Sequence, residues 1–474
     1  MTNTKHHFLD LFFYPKSVAV VGASRGMTSP NFFLVSNLVN LKFPGKVYPV
    51  NPNAAEIRGL KAYPDMKSIE GDVDLAVISV PANITLDIVR DCIAKRVKGI
   101  TIIAGGFSEI GEGGRKTQDE ILRLLRESGI RAIGPNALSP VNTANSFIIG
   151  FGPAEEMPRG GLSFIFQSGL YQPRLNWLLS EFHLNLNKLI DLGNKMDINE
   201  VDALEYFGED ESTKVIAVHL ESIAGDARKF MRLLDSTTRK KPVIVLKSGR
   251  TAAGAKAASS HTGALMKSTD TVIDAALKQT GAIRVQGLDE FFDLAKVFEY
   301  LPPLQNNRIA ISSFSGGEGV ITTDFSQLYG LTLAELGPET GEKLRPVFPP
   351  WEIPLNPFDT GVTGQFHSRD DVFAITVDAF ASDPNVDCMA LQMGGGPPVR
   401  AKNFQTQEYE IVKLLSQVKK RGKAVAVWMI SMFGGSNGLT RQLEANRIPV
   451  YPSAERAVRA LGALYKYNVL RERE

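Results

Sequence analysis

The amino-acid sequence predicts an α/β protein whose parallel sheets are divided among three domains. The chain of 474 residues is too long for a single domain with one hydrophobic core, because domains usually contain ~100 to 200 residues each. Short apolar runs rich in β-branched residues alternate with amphipathic stretches, a pattern typical of βα units around a parallel sheet. Two segments rich in proline and glycine, "GFGPAEEMPRGG" and "YLPPLQNN", indicate domain boundaries. The expected domains are residues 1–150, 151–304 and 305–474.

The first domain is predicted to be doubly wound. Its helical stretches, such as "TLDIVRDCIAK", place apolar residues three and four positions apart. Its predicted strands are, in order, "SVAVVGAS", "GKVYPVNPN", "VDLAVISVPA", "GITIIAGGF" and "IRAIGPN". The carboxyl ends of parallel strands share one sheet edge, so the turns that follow these strands are expected to line one crevice.

The second and third domains repeat one pattern in the same order. The second contains the runs "LSFIFQSG", "VIAVHLES", "KPVIVLKSG" and "AIRVQG". The third contains "RIAISSFSGGEG", "VDCMALQMGGG", "KAVAVWMIS" and "RIPVYPS". A duplication of a whole α/β domain explains why these segments recur in the same order.

Composition argues against several classes of protein. The sequence has 53 Lys and Arg and 51 Asp and Glu, so positive and negative charges nearly balance. It has no block of basic residues, so nucleic acid is not an expected partner. The two cysteines, Cys92 and Cys388, lie in apolar contexts without metal-ligand spacing, which predicts buried thiols in a reducing compartment and no metal site. The apolar runs are about half as long as a bilayer requires. We therefore expect a cytoplasmic protein with no membrane segment.

Turns after the predicted strands of the first domain form a candidate anion site. "VAVVGASRG" runs from a strand into a small-residue turn that can direct backbone N–H groups at a phosphate. Ser24 stands where a nicotinamide fingerprint needs its second glycine, which disfavours NAD. A tight turn with no ligand is the alternative. Convergence with the other strand ends favours a nucleotide-like ligand held by Gly22, Ala23, Ser24, Arg25, Asn51, Pro52, Val80, Pro81 and Asn136.

His261 is the candidate nucleophile. It lies in "AKAASSHTGALMKSTD", where small residues permit a movable loop and hydroxyls suit phosphoryl oxygens. A nucleophilic imidazole needs an acceptor for its other nitrogen, and Glu221 follows a predicted strand at the same sheet edge. The alternatives are a histidine that only forms loop hydrogen bonds and a solvated strand-end carboxylate. The third domain has "SMFGGSNGLT" in place of the histidine segment, so the architecture does not require His261.

Two strand-to-helix transitions could hold phosphate, since a helix N-terminus attracts anions. One comprises Gln167, Ser168 and Gly169, with Pro173 expected near the first helical turn. The other comprises Ser315, Gly316 and Gly317, for which a bare helix start is the alternative. His183 and His219 are interpreted as structural.

These residues resemble a known family. "VGASR", "YPVNPN", "GPN", "QSG", "DLGNKMDINEVDALEYF", "KSGRTAAGAKAASSHTGAL" and "NPFDT" are similar to the α-subunit of nucleoside-diphosphate-forming acyl-CoA synthetases, relatives of succinyl-CoA synthetase. The resemblance extends from about residue 10 to about residue 465. It implies a Rossmann-like CoA-binding domain followed by two flavodoxin-like ligase domains. It also implies that His261 is phosphorylated and that Glu221 orients it.

The implied reaction converts acyl-CoA, phosphate and ADP into acid, CoA and ATP, through an acyl phosphate and phosphorylated His261. The family supplies an ATP-grasp nucleotide domain, fused or as a β-subunit, and no stretch of this sequence resembles such a domain. We therefore expect a β-subunit that binds Mg-ADP or Mg-ATP, in an α2β2-like hetero-oligomer. The substrates expected for this chain are coenzyme A, phosphate and a carboxylic acid.

Departures from the family pattern leave the acid and the nucleotide, ADP or GDP, open. Asn53 stands where the family often has lysine, and "QSG" continues as "LYQP" where small residues are usual. The altered segment supports a competing hypothesis, a CoA-binding regulatory protein that has lost phosphotransfer. An NAD-dependent oxidoreductase is a more distant alternative because the glycine fingerprint is incomplete.

Overall fold

The computed structural model describes residues 7–169, 171, 174–254, 256, 270–395, 404–431 and 438–472. The chain divides into two compact units, unit 1 (Met1–Phe291) and unit 2 (Phe292–Glu474). The predicted α/β class with parallel sheets is confirmed. The first predicted domain and most of the second lie in unit 1, while residues 292–304 of the second lie in unit 2. The three-domain division stays a prediction.

The first sheet of unit 1 is parallel, with five strands in the order β2-β1-β5-β6-β7. From β1 the chain adds β2 on one side and later β5 on the other, so the strand order reverses at β1. Ligands of such sheets bind at this reversal, outside the carboxyl ends of the strands. The elements are β1 (Ser17–Val21), β2 (Lys46–Val50), a hairpin of β3 (Glu56–Ile57) and β4 (Leu60–Lys61), β5 (Leu75–Ile78), β6 (Gly99–Ile102), β7 (Arg131–Ile133), α1 (Asp10–Phe13), α2 (Asn31–Asn40), α3 (Ala82–Lys95) and α4 (Glu112–Ser128).

Burial explains the apolar strand sequences of this sheet. Every residue of β1, β5 and β6 is buried. Helices cover both faces of a parallel sheet, so its strands are continuously apolar and do not alternate with polar residues. The polar groups that remain are concentrated at the strand ends.

The second sheet of unit 1 has seven strands in the order β14-β13-β12-β10-β11-β8-β9. The two strands β8 and β9 form an antiparallel edge on β11, so the chain enters the second sheet before residue 150. The elements are β8 (Val141–Asn142), β9 (Phe147–Ile148), β10 (Arg159–Phe166), β11 (Leu186–Asp191), β12 (Val215–Leu220), β13 (Val243–Lys247), β14 (Ile283–Val285), α5 (Leu175–Glu181), α6 (Glu200–Glu209), α7 (Ala227–Thr238) and α8 (Asp270–Gln279).

Unit 2 contains one six-stranded sheet with the path β16-β15-β18-β19-β20, and β17 also pairs with β15. The path repeats the order β11-β10-β12-β13-β14 of unit 1, as the recurring segments of the sequence predict. The boundary between the units falls within α9. The elements are α9 (Leu288–Tyr300), β15 (Arg308–Ser313), α10 (Gly316–Leu328), β16 (Thr332–Leu333), α11 (Pro338–Leu344), β17 (Phe358–Asp359), α12 (Thr360–Thr363), α13 (Arg369–Ser382), β18 (Cys388–Gly395), α14 (Phe404–Lys420), β19 (Ala424–Ser431), α15 (Gly438–Ala445), β20 (Val450–Tyr451) and α16 (Ala454–Arg471).

Cys92 and Cys388 are both buried free thiols. Within the described ranges, no helix combines the length and the apolar character needed to cross a bilayer.

Candidate active site

The turn after β1 has a conformation that only glycine adopts easily. Gly22 has φ = +87°, and a Cβ atom at this position would lie 2.3 Å from the carbonyl oxygen of Ser79. Its N–H donates to the Val50 carbonyl at 3.0 Å. The turns after β1, β2 and β5 therefore approach one another at backbone distance. This is the convergence that the sequence predicts.

Asn31, at the start of α2, joins two of these turns. Its amide nitrogen donates to the carbonyl oxygens of Gly22 at 2.9 Å and Ser79 at 2.8 Å. The Ser79 hydroxyl donates in return to Asn31 Oδ1 at 2.8 Å. Sequence reasoning missed Asn31, since nothing in "SPNFF" shows that its side chain reaches two strand ends.

The β2 turn is attached to the β1 turn in a similar way. Asn51 Nδ2 donates to the Ala23 carbonyl at 2.7 Å, and the exposed Arg25 guanidinium lies 3.4 Å from the Asn53 carbonyl. Pro52 is exposed beside them. The side chain of Asn51 is thus used to shape the crevice, while Arg25 places a positive charge at its rim.

The remaining predicted crevice residues continue along the same sheet edge. Val80 and Pro81 follow Ser79 after β5, and Asn136 follows β7 with φ = +59°. The Asn136 N–H donates to the Ala104 carbonyl, beyond β6, at 2.9 Å. The structure thus brings all the predicted crevice positions to the carboxyl end of one sheet; their roles in binding stay predictions.

Gly22→Ala is expected to weaken coenzyme A binding and to destabilise unit 1. The added methyl group meets Ser79, and a non-glycine residue at positive φ costs ~1 to 3 kcal/mol. Gly59→Ala is the matched control, because Gly59 has φ = +78° with nothing within 4 Å of an added Cβ. Calorimetric titration with CoA and thermal unfolding test both variants. Equal CoA affinities for both would contradict the close approach at Gly22.

Gln167 is the hub of a second cluster, at the carboxyl end of the second sheet. Its Oε1 accepts from the N–H groups of Glu221 at 2.9 Å and Ser222 at 3.0 Å, and from Lys195 Nζ at 2.9 Å. Its Nε2 donates to the Ser222 hydroxyl at 3.1 Å. These contacts join the end of β10 to the segment after β12. The polar groups of this side chain have protein partners, and its contact with phosphate stays a prediction.

Gln167, Ser168 and Gly169 follow β10 directly, between this strand and the next described helix. After β10, the next described helix, α5, starts at Leu175 and has seven residues. Phosphate binding at residues 167–169 stays a prediction. Pro173 lies outside the described residues.

Glu221 follows β12 directly, as predicted, and is 9% exposed. Because its backbone N–H is held by Gln167, the carboxylate leaves the sheet from a fixed point. His261, which it is predicted to orient, lies outside the described residues. The neighbouring Ser248 immediately follows β13, so the segment that leads to His261 departs from the same edge as Glu221.

Asp191 ends β11 beside this cluster. Its carboxylate is buried and accepts from the N–H groups of Leu138 at 2.9 Å and Gly193 at 3.2 Å. Burial raises the pKa of Asp191 to about 6, and the negative charge of Glu221 acts in the same direction. Asp191 holds the segment after β7 against the second sheet, a role that the sequence does not reveal.

His219 is structural, as predicted, and it links two segments. Its Nδ1 lies 2.8 Å from the Tyr171 hydroxyl and its Nε2 is hydrogen-bonded to Ser248. Tyr171 stacks on Phe166 with ring centroids 3.9 Å apart. Burial lowers the pKa of His219 to about 4, assisted by the positive charge of Lys247. The family departure at "LYQP" therefore includes a tyrosine that is packed into the core.

Asp191 and His219 are expected to change the free energy of unfolding in opposite directions as pH rises. The folded pKa of Asp191 lies above its ordinary value of 3.8, so its contribution to the free energy of unfolding falls as pH rises from about 4 to 6. The folded pKa of His219 lies below 6.5, so its contribution rises with pH from about 4 to 6.5. Each contribution is on the order of 3 kcal/mol.

Single substitutions should reveal each contribution. Relative to the parent chain, Asp191→Asn should make the melting temperature rise more steeply with pH between 4 and 6, and His219→Gln should make it rise less steeply. Thermal unfolding over this pH range measures both slopes. Curves parallel to that of the parent would contradict the assigned protonation states.

In unit 2, a helix begins at the predicted segment, and Ser315 caps this helix, α10. Its hydroxyl accepts from the Glu318 N–H at 3.3 Å, and Gly316 and Gly317 form the exposed first turn. The Glu318 carboxylate accepts from Trp428 Nε1 at 3.0 Å. Phosphate binding at the start of α10 stays a prediction.

The described part of the chain contains no cluster of three or more His, Cys, Asp or Glu side chains arranged to hold a metal ion.

Two family domains match this chain. A CoA binding domain matches residues 16–142, and a succinyl-CoA ligase like flavodoxin domain matches residues 159–298. ADP-forming acetate–CoA ligase II of Archaeoglobus fulgidus is 35% identical over 457 residues, 96% of this chain and 66% of that protein. The chain thus spans slightly less than two thirds of that relative.

Two further matches extend along nearly the whole of both chains. The solved structure of acetyl-coenzyme A synthetase 1 from Ca. Korarchaeum cryptofilum, in complex with phosphate and ADP, is 32% identical with a TM-score of 0.86, covering 98% of this chain and 97% of that one. The α-subunit of ADP-forming acetate–CoA ligase I from Pyrococcus furiosus is 36% identical, covering 97% of this chain and 98% of that one. The resemblance read from the motifs is confirmed, and the chain belongs to the family of ADP-forming acyl-CoA synthetases.

Proposed function

We propose that this chain is the CoA-binding and phosphoryl-carrying subunit of an ADP-forming acyl-CoA synthetase. The observation that carries the proposal is the placement of Glu221. This carboxylate is nearly buried, and its backbone is held by Gln167 at the sheet edge from which the His261 segment departs. A regulatory CoA-binding protein would not need such a carboxylate.

The first site fits coenzyme A. The β1 turn is a backbone cradle with no room for a Cβ atom at Gly22, and Arg25 provides an exposed positive charge suited to phosphate. Ala23 and Ser24 would face the pyrophosphate, while Asn51, Pro52, Val80, Pro81 and Asn136 would line the rest of the crevice. Bound CoA would supply the thiol that forms the thioester.

The second site would transfer the phosphoryl group. A phosphate oxygen attacks the acyl carbon and the CoA thiolate leaves, giving an acyl phosphate. A nitrogen of His261 then attacks phosphorus, the bond to the carboxylate oxygen breaks and the acid is released. Glu221 would hold the other imidazole nitrogen and stabilise the positive charge that develops on the ring. The proposed phosphate contacts of unit 1 are Gln167, Ser168 and Gly169. Ser315, Gly316 and Gly317 are the proposed phosphate contacts of unit 2.

We propose that an ATP-grasp β-subunit completes the enzyme. Phosphorylated His261 would transfer its group to Mg-ADP on that subunit, in an α2β2-like assembly. The match to an α-subunit over 98% of its length supports this division of labour. The two buried free thiols support a reducing, cytoplasmic location.

Labelling with radioactive phosphate tests the proposal. The chain, mixed with acetyl-CoA and labelled phosphate, should gain an acid-labile, alkali-stable label, and a panel of other acyl-CoA thioesters identifies the preferred acid. ATP should form from ADP only after an ATP-grasp β-subunit is added. CoA binding without any label would favour the regulatory alternative, and tighter binding of NAD than CoA would contradict the first site.

A further inference from the structure

Three buried side chains hold the segment that carries Glu221, residues 221–225. Gln167 accepts the N–H groups of Glu221 and Ser222 on a single oxygen, at 2.9 and 3.0 Å. Glu200 Oε1 accepts those of Ala224 at 2.7 Å and Gly225 at 2.8 Å. Four of the five backbone N–H groups in this segment are thus held by two side chains.

Lys195 connects these two acceptors. Its ammonium nitrogen lies 2.9 Å from Gln167 Oε1, 2.6 Å from the Ser222 carbonyl oxygen and 3.0 Å from Glu200 Oε2. The ammonium group thus donates hydrogen bonds to Gln167 and Ser222 and forms an ion pair with Glu200. The Lys195 side chain is 2% exposed and that of Glu200 is fully buried. The ammonium group of Lys195 is therefore enclosed by protein groups.

The backbone at Lys195 has an unusual conformation, and the residues on either side of it are fixed by hydrogen bonds. Lys195 has φ = +55°, a left-handed conformation that few residues other than glycine adopt. Its neighbours in the chain contact the segment after β7: the Asn194 N–H donates to the Pro135 carbonyl at 2.8 Å, and the Met196 N–H donates to the Gly134 carbonyl at 3.0 Å. Lys195 thus connects the turn beside the proposed CoA crevice to the segment that carries Glu221.

We propose that Lys195 is a positioning residue for phosphoryl transfer. It ties the end of β10, the start of α6 and the 221–225 segment into one rigid body, which keeps the Glu221 carboxylate in line with the imidazole it orients. The inference rests on the proposed function. A displacement of only about 1 Å in such a group can slow a reaction on the order of 100-fold.

A set of variants separates positioning from stability. Lys195→Met leaves Glu200 as a buried charge without its partner, so this variant should be less stable. The double variant Lys195→Met/Glu200→Gln contains neither charge, and the amide oxygen introduced by the second substitution can still accept the N–H groups of Ala224 and Gly225. Glu200→Gln alone keeps the contacts of Lys195 with Gln167 and Ser222 but leaves the ammonium without its counter-ion.

The double variant is expected to lower the phosphorylation rate but not the melting temperature, and Glu200→Gln is expected to do the reverse. The double variant should melt near the parent temperature and bind CoA normally, yet phosphorylate on the order of 100-fold more slowly. Glu200→Gln should melt lower yet keep most of the rate. Hydrogen exchange of a peptide that covers residues 221–225 should be faster in the double variant than in the parent.

The matched control is the Lys296→Met/Glu444→Gln pair in unit 2. Lys296 Nζ lies 2.9 Å from Glu444 Oε1 and 2.7 Å from the Val450 carbonyl oxygen, and both side chains are buried. Its removal should leave the phosphorylation rate unchanged.

Rates should be measured at a temperature at which every variant is folded. If the rates follow the melting temperatures across the three Lys195 and Glu200 variants, Lys195 is only structural and the inference is wrong. A parent-like rate for the double variant would also overturn it. A parent chain that takes up no phosphate would contradict the proposed function, while the exchange measurement would still report on the rigidity of residues 221–225.

Discussion

His261→Ala is expected to abolish both phosphate labelling of the chain and net ligation in the complex. Transfer through an imidazole needs a nucleophilic nitrogen, and a methyl group supplies none. The segment around His261 is rich in small and hydroxyl-bearing residues, a composition that predicts a movable loop able to carry a phosphoryl group. The measurement is incorporation of labelled phosphate in an acid-labile, alkali-stable form, followed by mapping of the labelled peptide.

His183→Ala is the control for the loss of a histidine, since His183 lies between α5 and β11 and has no proposed role in transfer. It should retain the label. CoA affinity should be the same in both variants, because the crevice belongs to the first sheet. A fully active His261→Ala complex would end the phosphohistidine proposal and leave a CoA-binding protein in its place.

Glu221→Gln is expected to slow phosphorylation by ~100-fold or more while leaving the fold intact. The amide is isosteric with the carboxylate, and the backbone N–H of this residue still donates to Gln167 at 2.9 Å. Glutamine can accept a hydrogen bond from the imidazole, but it cannot stabilise the positive charge that develops when the ring nitrogen attacks phosphorus. The loss should therefore appear in the rate of the chemical step.

Single-turnover labelling measures that rate, with CoA calorimetry and thermal unfolding as controls on binding and fold. The melting temperature and the CoA affinity should stay close to those of the parent. If Glu221→Gln labels at the parent rate, Glu221 is an ordinary strand-end carboxylate, and another group must orient the imidazole.

The comparison of unit 1 with unit 2 supports the assignment of chemistry to one copy of the repeat. When Gln167-Ser168-Gly169 is aligned with Phe314-Ser315-Gly316, the strand registers place Gly394 at the position of Glu221. The duplicated sheet therefore lacks the carboxylate as well as the histidine segment. Strand order is shared because the apolar pattern is shared, whereas the polar strand ends differ.

Local patterns were sufficient to predict the fold class, the repeated strand order and the convergence of the β1, β2 and β5 turns. Apolar runs of strand length interrupted by amphipathic stretches admit few arrangements other than parallel α/β sheets. The sharp turn at Gly22 follows from a glycine directly after a buried strand. Glu221 could be proposed because it ends such a strand at the edge where ligands bind.

Contacts between residues distant in sequence were decided by the tertiary structure alone. Asn31 reaches Ser79, Asp191 reaches Leu138, and Lys195 reaches both Gln167 and Ser222. The antiparallel pairing of β8 with β11 was likewise not predicted from the sequence. Propensity and periodicity act over a few residues, but these contacts depend on strand register and on which buried polar groups find partners, and both are settled only when the sheets pack.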